Sequence, residues 1–168
     1  MKFSVVIPLY NKEHYIEATI QSVLNQTCQD FEVLVVDDGS KDDSLALARK
    51  FESDRVRIIP QENQGVSVAR NTGILNAQGE FICFLDADDE WRPDYLATID
   101  DLTARYPESS IFVTAYAVNM GNGKINYSTR LEPETGCLPS YWLTLAKGYD
   151  FVWTSATTMR RDTLMEAG

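Results

Sequence analysis

Phe81-Ile82-Cys83-Phe84-Leu85-Asp86-Ala87-Asp88-Asp89 sets a wholly apolar run directly against a cluster of acids. A segment with no polar face reads as a strand covered on both sides, and its abrupt acidic end marks where the chain leaves the core. The same pattern recurs upstream. Phe3 to Leu9 runs into Tyr10-Asn11-Lys12, and Phe31 to Val36 runs into Asp37-Asp38-Gly39-Ser40. Helical spacing fills the intervals. From about His14 to Gln26, the residues Ile16, Ile20, Val23 and Leu24 share one face. Ser40 and Asp43 resemble a capping box ahead of a helix carrying Leu45, Leu47, Ala48 and Phe51. Val56 to Ile59 reads as a short strand, and Gly65 to Ala77 as a helix despite Gly73. Strands alternating with helices predict an α/β fold with a mostly parallel sheet flanked by helices, and Phe81 to Leu85 near its centre.

Downstream, Pro93 opens a helix to about Tyr106 and Ile111 to Val118 reads as a strand. Gly121-Asn122-Gly123 is a turn signal before a return strand at Ile125 to Ser128. Past Arg130 the pattern weakens into a loop through Pro133 and Gly136, a helix near Ser140 to Ala146 and a strand near Ser155 to Met159. Arg161 to Ala167 reads as a helix with Gly168 as its C-cap, and the stop there suggests a cut chain. No repeat or linker interrupts residues 1–168, so they are read as a single, incomplete domain.

The chain has 168 residues, 44% apolar and 24% charged, and its mean hydropathy is -0.24. These are globular values, and no apolar run approaches the roughly 20 residues of a bilayer span. Net charge is -10, which repels phosphate backbones and disfavours nucleic acid as a partner. A phosphorylated small molecule would need local compensation, for which a divalent cation held by carboxylates is suited. Cys28, Cys83 and Cys137 show no metal-ligand spacing and fit a reducing compartment. His14, the single histidine, reads as structural.

In open parallel sheets, ligands collect at the carboxyl ends of the strands. At the first of these ends, Tyr10 could stack on a base, or Tyr10 could be packing while Asn11 caps a helix. At the second, an Asp37 or Asp38 carboxylate could accept from a base N–H, or the pair could be an Asp-Gly turn. At the third, Asp86, Asp88 and Asp89 stand close enough for mutual repulsion, which a cation would relieve; a solvated acidic turn is the plainer alternative. Oxygen ligands without His or Cys select Mg²⁺, Mn²⁺ or Ca²⁺ over zinc. There is no G-x-x-x-x-G-K-[ST], no G-x-G-x-x-G after a strand and no G-x-S-x-G.

Taken in order, Val6 to Lys12, Ser22 to Thr27, Phe31 to Ser40, Asn63 to Asn71 and Phe84 to Asp89 resemble the family 2 glycosyltransferases of GT-A fold. The likeness runs from residue 3 to about 95 and continues more weakly through Thr154-Ser155 and Arg160-Arg161. It implies a GT-A type Rossmann-like sheet and an inverting, metal-dependent transfer of sugar from a nucleoside diphosphate, commonly UDP, to a saccharide or lipid-linked acceptor. Pro8, Leu9, Tyr10 and Asn11 would then border the donor, with Pro8 and Tyr10 lining the nucleobase pocket. Asp38 would accept from the base and Arg70 would hold the donor. Asp86 would touch the ribose or a metal-bound water, and Asp88 would ligate Mn²⁺ or Mg²⁺ on the diphosphate. The implied location is cytoplasmic or peripheral to the inner face of a membrane.

The family's acidic general base belongs to a motif expected beyond Gly168, so the resemblance implies a donor-binding part that is inactive alone. The absent elements would leave apolar surface open to self-association. Two other readings compete. A phosphoacceptor receiver domain would use Asp37-Asp38, Asp86 and Thr114, although an extra βα unit precedes its acidic pair and no suitable Lys follows Thr114. A non-catalytic nucleotide-sugar-binding module would use the same donor residues without turnover.

Overall fold

β1 (Phe3–Leu9) lies between two parallel neighbours, β2 (Phe31–Asp37) and β4 (Phe81–Phe84). The computed structural model describes residues 1–119, 125–127, 136 and 152–167. β3 (Val56–Pro60) pairs in parallel with β2. β8 (Thr157–Arg160) runs antiparallel between β4 and β5 (Ile111–Val113), which gives the order β3-β2-β1-β4-β8-β5. A separate ribbon pairs β6 (Ala117–Asn119) with β7 (Ile125–Tyr127). The mostly parallel α/β sheet expected from the sequence is therefore present.

The two faces of β1 show why its sequence, Ser4 apart, is apolar. Phe3, Val5, Ile7 and Leu9 join one core cluster with α1 (Ile16–Leu24), α2 (Ser44–Arg49) and α4 (Tyr95–Arg105). Val6 points the other way, with Leu34, Ile82 and Phe84, towards α3 (Val66–Asn76) and Leu164 of α5 (Arg161–Ala167). Alternate side chains leave a strand on opposite faces, so burial on both sides removes the polar alternation. Each fully buried Phe, Leu or Ile contributes about 1.5–3 kcal/mol by leaving water.

Several local expectations are corrected. Asn11 does not cap α1. Its backbone takes φ 51°, its N–H donates to Ser40 Oγ at 3.1 Å, and its Oδ1 accepts from Lys41 N at 2.8 Å. Asn tolerates this left-handed conformation better than most residues. The Ser40–Asp43 capping box does not form either; α2 starts at Ser44, whose N–H donates to Asp42 Oδ1 at 3.0 Å. The expected strand from Ile111 to Val118 breaks into β5 and β6, which belong to different sheets. His14 is 81% exposed in its side chain and so supports no core. The Gly121–Gly123 turn, the loop at Pro133, the helix near Ser140 to Ala146, Cys137 and the cap at Gly168 lie outside the described residues.

Gly73 sits in α3 because that helix crosses β1 closely: a Cβ there would lie 2.3 Å from Val6 Cγ1. At Gly79 a Cβ would come within 2.7 Å of the Phe3 and Ser4 backbone. The buried Glu32 carboxylate fastens this lower edge, accepting from Ser4 Oγ at 2.7 Å and Gln78 N at 2.7 Å while pairing with Arg57 at 3.3 Å. Ala has a better helix propensity than Gly by about 1 kcal/mol, but pushing α3 off the sheet costs about 1–3 kcal/mol. Gly73→Ala should therefore lower stability in urea unfolding; an unchanged or raised midpoint would show that Val6 and α3 yield freely.

Candidate functional site

The chain adds β2 and β3 on one side of β1 and then crosses to place β4 on the other. A topological switch therefore falls between β1 and β4, where the loops leaving adjacent strand ends diverge and open a crevice. Tyr10 to Lys12 leave β1 on one side of it, and Leu85 to Asp89 leave β4 on the other. Asp38 follows β2 one strand away, its N–H donating to Leu9 O at 2.8 Å.

Asp38 is buried, 3% exposed. Its Oδ1 accepts from Gln61 Nε2 at 2.8 Å and Gln64 N at 2.9 Å, and its Oδ2 accepts from Gly65 N at 2.8 Å. Burial pushes the carboxyl up, but the bonds from Gln64, Gln61 and Gly65 outweigh it and hold it below the ordinary carboxylate range. The Asp37–Asp38 pair thus divides. Asp38 organises the loop leading into α3, whereas Asp37 accepts from Ser40 N at 3.3 Å and has a buried Oδ1 without a partner. A cavity of about 300 Å³ adjoins Asp38, lined by Pro8, Leu9, Tyr10, Gly65, Val66 and Ala69 among others. Tyr10 is 41% exposed beside it.

A second cavity, about 240 Å³, shares Pro8, Tyr10 and Val66 with the first and adds Lys12, Arg70, Asp86 and Asp88. Arg70 Nη2 donates to Asp86 Oδ1 at 2.7 Å, and Lys12 Nζ donates to Asp88 Oδ2 at 2.6 Å. The Asp88 bond raises the Lys12 pKa above its ordinary value. Arg70 Nε is buried without a partner.

The three acids do not gather as the sequence suggested. Asp89 N donates to Asp86 O at 3.0 Å, closing a turn, and Thr19 Oγ1 anchors Ala87 O at 3.0 Å. Asp89 is thereby sent away from the cavity to accept from Ser155 Oγ at 2.6 Å. Their repulsion is met by separate partners, and among the described residues no group of three or more acidic, His or Cys side chains could hold a metal by itself. Asp86 and Asp88 still face one cavity. Two carboxylates suit Mg²⁺ or Mn²⁺ whose other positions are taken by phosphate oxygens and water.

Sequence reading placed Pro8, Leu9, Tyr10, Asn11, Asp38, Arg70, Asp86 and Asp88 near a ligand. All but Asn11 line one or both cavities; Asn11 instead ties the β1 exit to Ser40 and Lys41. It missed Lys12 as a charge partner of Asp88 and Ser155 as the hydroxyl under the acidic turn. A Lys within a helix-entry loop and a Ser about 70 positions downstream carry no local signal of either contact. Cys83 is buried, which pushes its thiol up to about 12, so it is no nucleophile. Among the described residues no helix is long and apolar enough to cross a membrane.

The geometry can be set beside known proteins. Glycosyltransferase GlyA of Streptococcus pneumoniae is 37% identical over 124 residues, covering 73% of this chain and 18% of its own length. The uncharacterized glycosyltransferase alr2836 of Nostoc is 35% identical over 171 aligned residues, covering 98% of this chain and 52% of its own. The crystal structure of Staphylococcus aureus TarS 1–349 in complex with UDP-GlcNAc superposes with a TM-score of 0.79 at 28% identity, covering 99% of this chain and 47% of that one. The chain thus spans about half or less of these proteins. A sheet with antiparallel β8 beside β4 also departs from the all-parallel sheet of a receiver domain. A model of glycosyl transferase family 2 matches residues 4–168, and the chain belongs to that family.

Proposed function

We propose that this chain is the donor-binding part of an inverting, divalent-metal-dependent glycosyltransferase that moves a sugar from a nucleoside diphosphate to a saccharide or lipid-linked acceptor. The observation that carries this reading is the continuity of the two cavities. A recess walled by Pro8, Leu9, Val66 and Ala69 passes Tyr10 into a corner holding Lys12, Arg70, Asp86 and Asp88. A nucleoside diphosphate has the same sequence of chemistry along its length, from flat base to ribose to charged phosphates.

In this reading Pro8 and Tyr10 flank the base. Asp38, with three of its roughly four acceptor directions in use, offers the last to a base N–H such as that of uracil. Arg70, which borders the second cavity, donates to the diphosphate, and Lys12 can leave Asp88 for a phosphate oxygen. Asp86 lies nearest the ribose and shares the metal with Asp88. TarS, at 28% identity, was crystallised with UDP, which supports UDP as the first nucleotide to test. When bound, Mg²⁺ or Mn²⁺ supplies Lewis-acid stabilisation of the leaving diphosphate. Lys12 and Arg70 add positive charge where negative charge develops. The acidic base that takes the acceptor proton is assigned outside these 168 residues.

UDP at a hundredfold its Kd should stabilise the chain by about 2.7 kcal/mol with Mn²⁺ present, and Asp88→Asn should remove most of that gain. An equal gain in chelator, read by thermal unfolding, refutes the metal role. Asp38→Asn should cost about 2 kcal/mol at pH 7, since charge-assisted bonds to Gln61, Gln64 and Gly65 are lost. The folded Asp38 carboxyl titrates below its unfolded value. Its contribution is therefore complete above about pH 4 and drains away as pH falls through the folded pKa, so wild type and variant converge in acid. A gap that stays constant into strong acid would contradict that assignment. Finally, the 168-residue chain should bind UDP-sugars with negligible transfer to saccharide acceptors; rapid turnover would place the base within it.

A further inference from the structure

Beyond the diphosphate corner, the carboxyl edge of the sheet continues to the start of β8. Because β8 is antiparallel to β4, its first residues stand beside the β4 exit. Trp153, next to a short 3-10 helix (Thr154–Ala156) ahead of β8, is placed there. It stacks on Tyr116 with ring centroids 5.1 Å apart and planes inclined by 26°. With one face against Tyr116, Trp153 is still 43% exposed. Trp91 also stacks, on Tyr95, but is 8% exposed inside the core. Packing explains Trp91 and leaves the open face of Trp153 without a use.

The position of Trp153 is fixed from the acidic turn. Its Nε1 donates to Asp89 Oδ2 at 3.4 Å, and its carbonyl accepts from Thr157 Oγ1 at 2.7 Å and Ala156 N at 3.0 Å. Ser155 Oγ donates to the same Asp89 oxygen at 2.6 Å and accepts from Asp86 N at 3.0 Å, while Ser155 O accepts from Trp91 Nε1 at 2.6 Å. The indole and the cation corner therefore share one hydrogen-bonded turn.

We propose that the Trp153–Tyr116 stack is a platform for a pyranose ring of the acceptor; this rests on the donor reading above. The order along the sheet edge supports it: Asp38 after β2, Tyr10 after β1, Asp86 and Asp88 after β4, then Trp153 before β8. With base and phosphates assigned to the first three, the fourth station lies beyond the diphosphate, on the side where the transferred sugar would meet its acceptor. A pyranose presents a face of C–H groups and a rim of hydroxyls. The electron-rich indole face suits the former, and the Asp89 carboxylate at its edge is an acceptor for the latter.

The test is saturation-transfer NMR on the 168-residue chain with UDP and diamagnetic Mg²⁺, using the methyl β-glycosides of glucose, galactose and N-acetylglucosamine as probes. Saturation should fall on the C–H protons of one pyranose face. Trp153→Ala should weaken that binding about fivefold or more, and Trp153→Phe should restore most of it, as expected for a ring contact of about 1 kcal/mol. Calorimetric affinities for UDP and UDP-GlcNAc should be unchanged in both variants. No saccharide signal in the wild type, or an unchanged one in Trp153→Ala, overturns the platform. A loss confined to UDP-GlcNAc assigns the stack to the donor's sugar and overturns it equally. Failure of wild-type UDP binding, by contrast, removes the donor reading and is recorded separately by the calorimetry.

Discussion

The site depends on β1 being held by hydrogen bonds between β2 and β4, both parallel to it. This one constraint brings three strand exits to a common edge: Tyr10 follows the central strand, while Asp38 and Asp86 come from its two neighbours. A strand in that position is covered on both faces, and Val6 meets α3 so closely that position 73 has room only for a hydrogen. The tight crossing also carries Arg70, one helical turn earlier, to the rim beside Asp86. Packing at the centre of the sheet and placement of the charged corner are thus consequences of the same contact.

The corner is balanced electrostatically by the protein itself. Acids at the β4 exit are met by Arg70, Lys12 and Ser155, so a net charge of -10 does not leave this edge purely negative. Half-exposed ion pairs such as Lys12–Asp88 are worth little as stabilisers, typically below about 1 kcal/mol. Their value is that they can exchange partners at small cost. Phosphate and a divalent ion would offer each member of the pair an opposite charge, whereas Asp38, held by three hydrogen bonds, has no such freedom to move and serves as a fixed wall. The chain places a rigid acceptor at one end of the cleft and exchangeable charge at the other.

β8 extends that edge by reversing direction. An additional parallel strand would bring its carboxyl end to this side; an antiparallel one brings its amino end, with Trp153 and Ser155. The hydroxyl of Ser155 then joins Asp86 and Asp89, and Tyr95 joins Thr158 at 3.1 Å inside the core. These contacts bind a distant stretch of chain to the acidic turn.

The sequence alone determined the α/β alternation, because β1, β2 and β4 are mostly apolar on both faces and end in polar clusters, and these patterns are local. It also put Tyr10, Asp38, Asp86 and Asp88 at strand exits, and strand ends in a parallel sheet converge whatever their spacing along the chain. Only the tertiary structure decided how each charge is met. Asn11 bonds Ser40 and Lys41 rather than capping a helix, Asp89 turns from the cavity to Ser155, and Lys12 reaches Asp88 across 76 positions. Such pairings depend on distances between separate loops, and a hydrogen bond's short reach makes them invisible until the sheet has set those loops side by side.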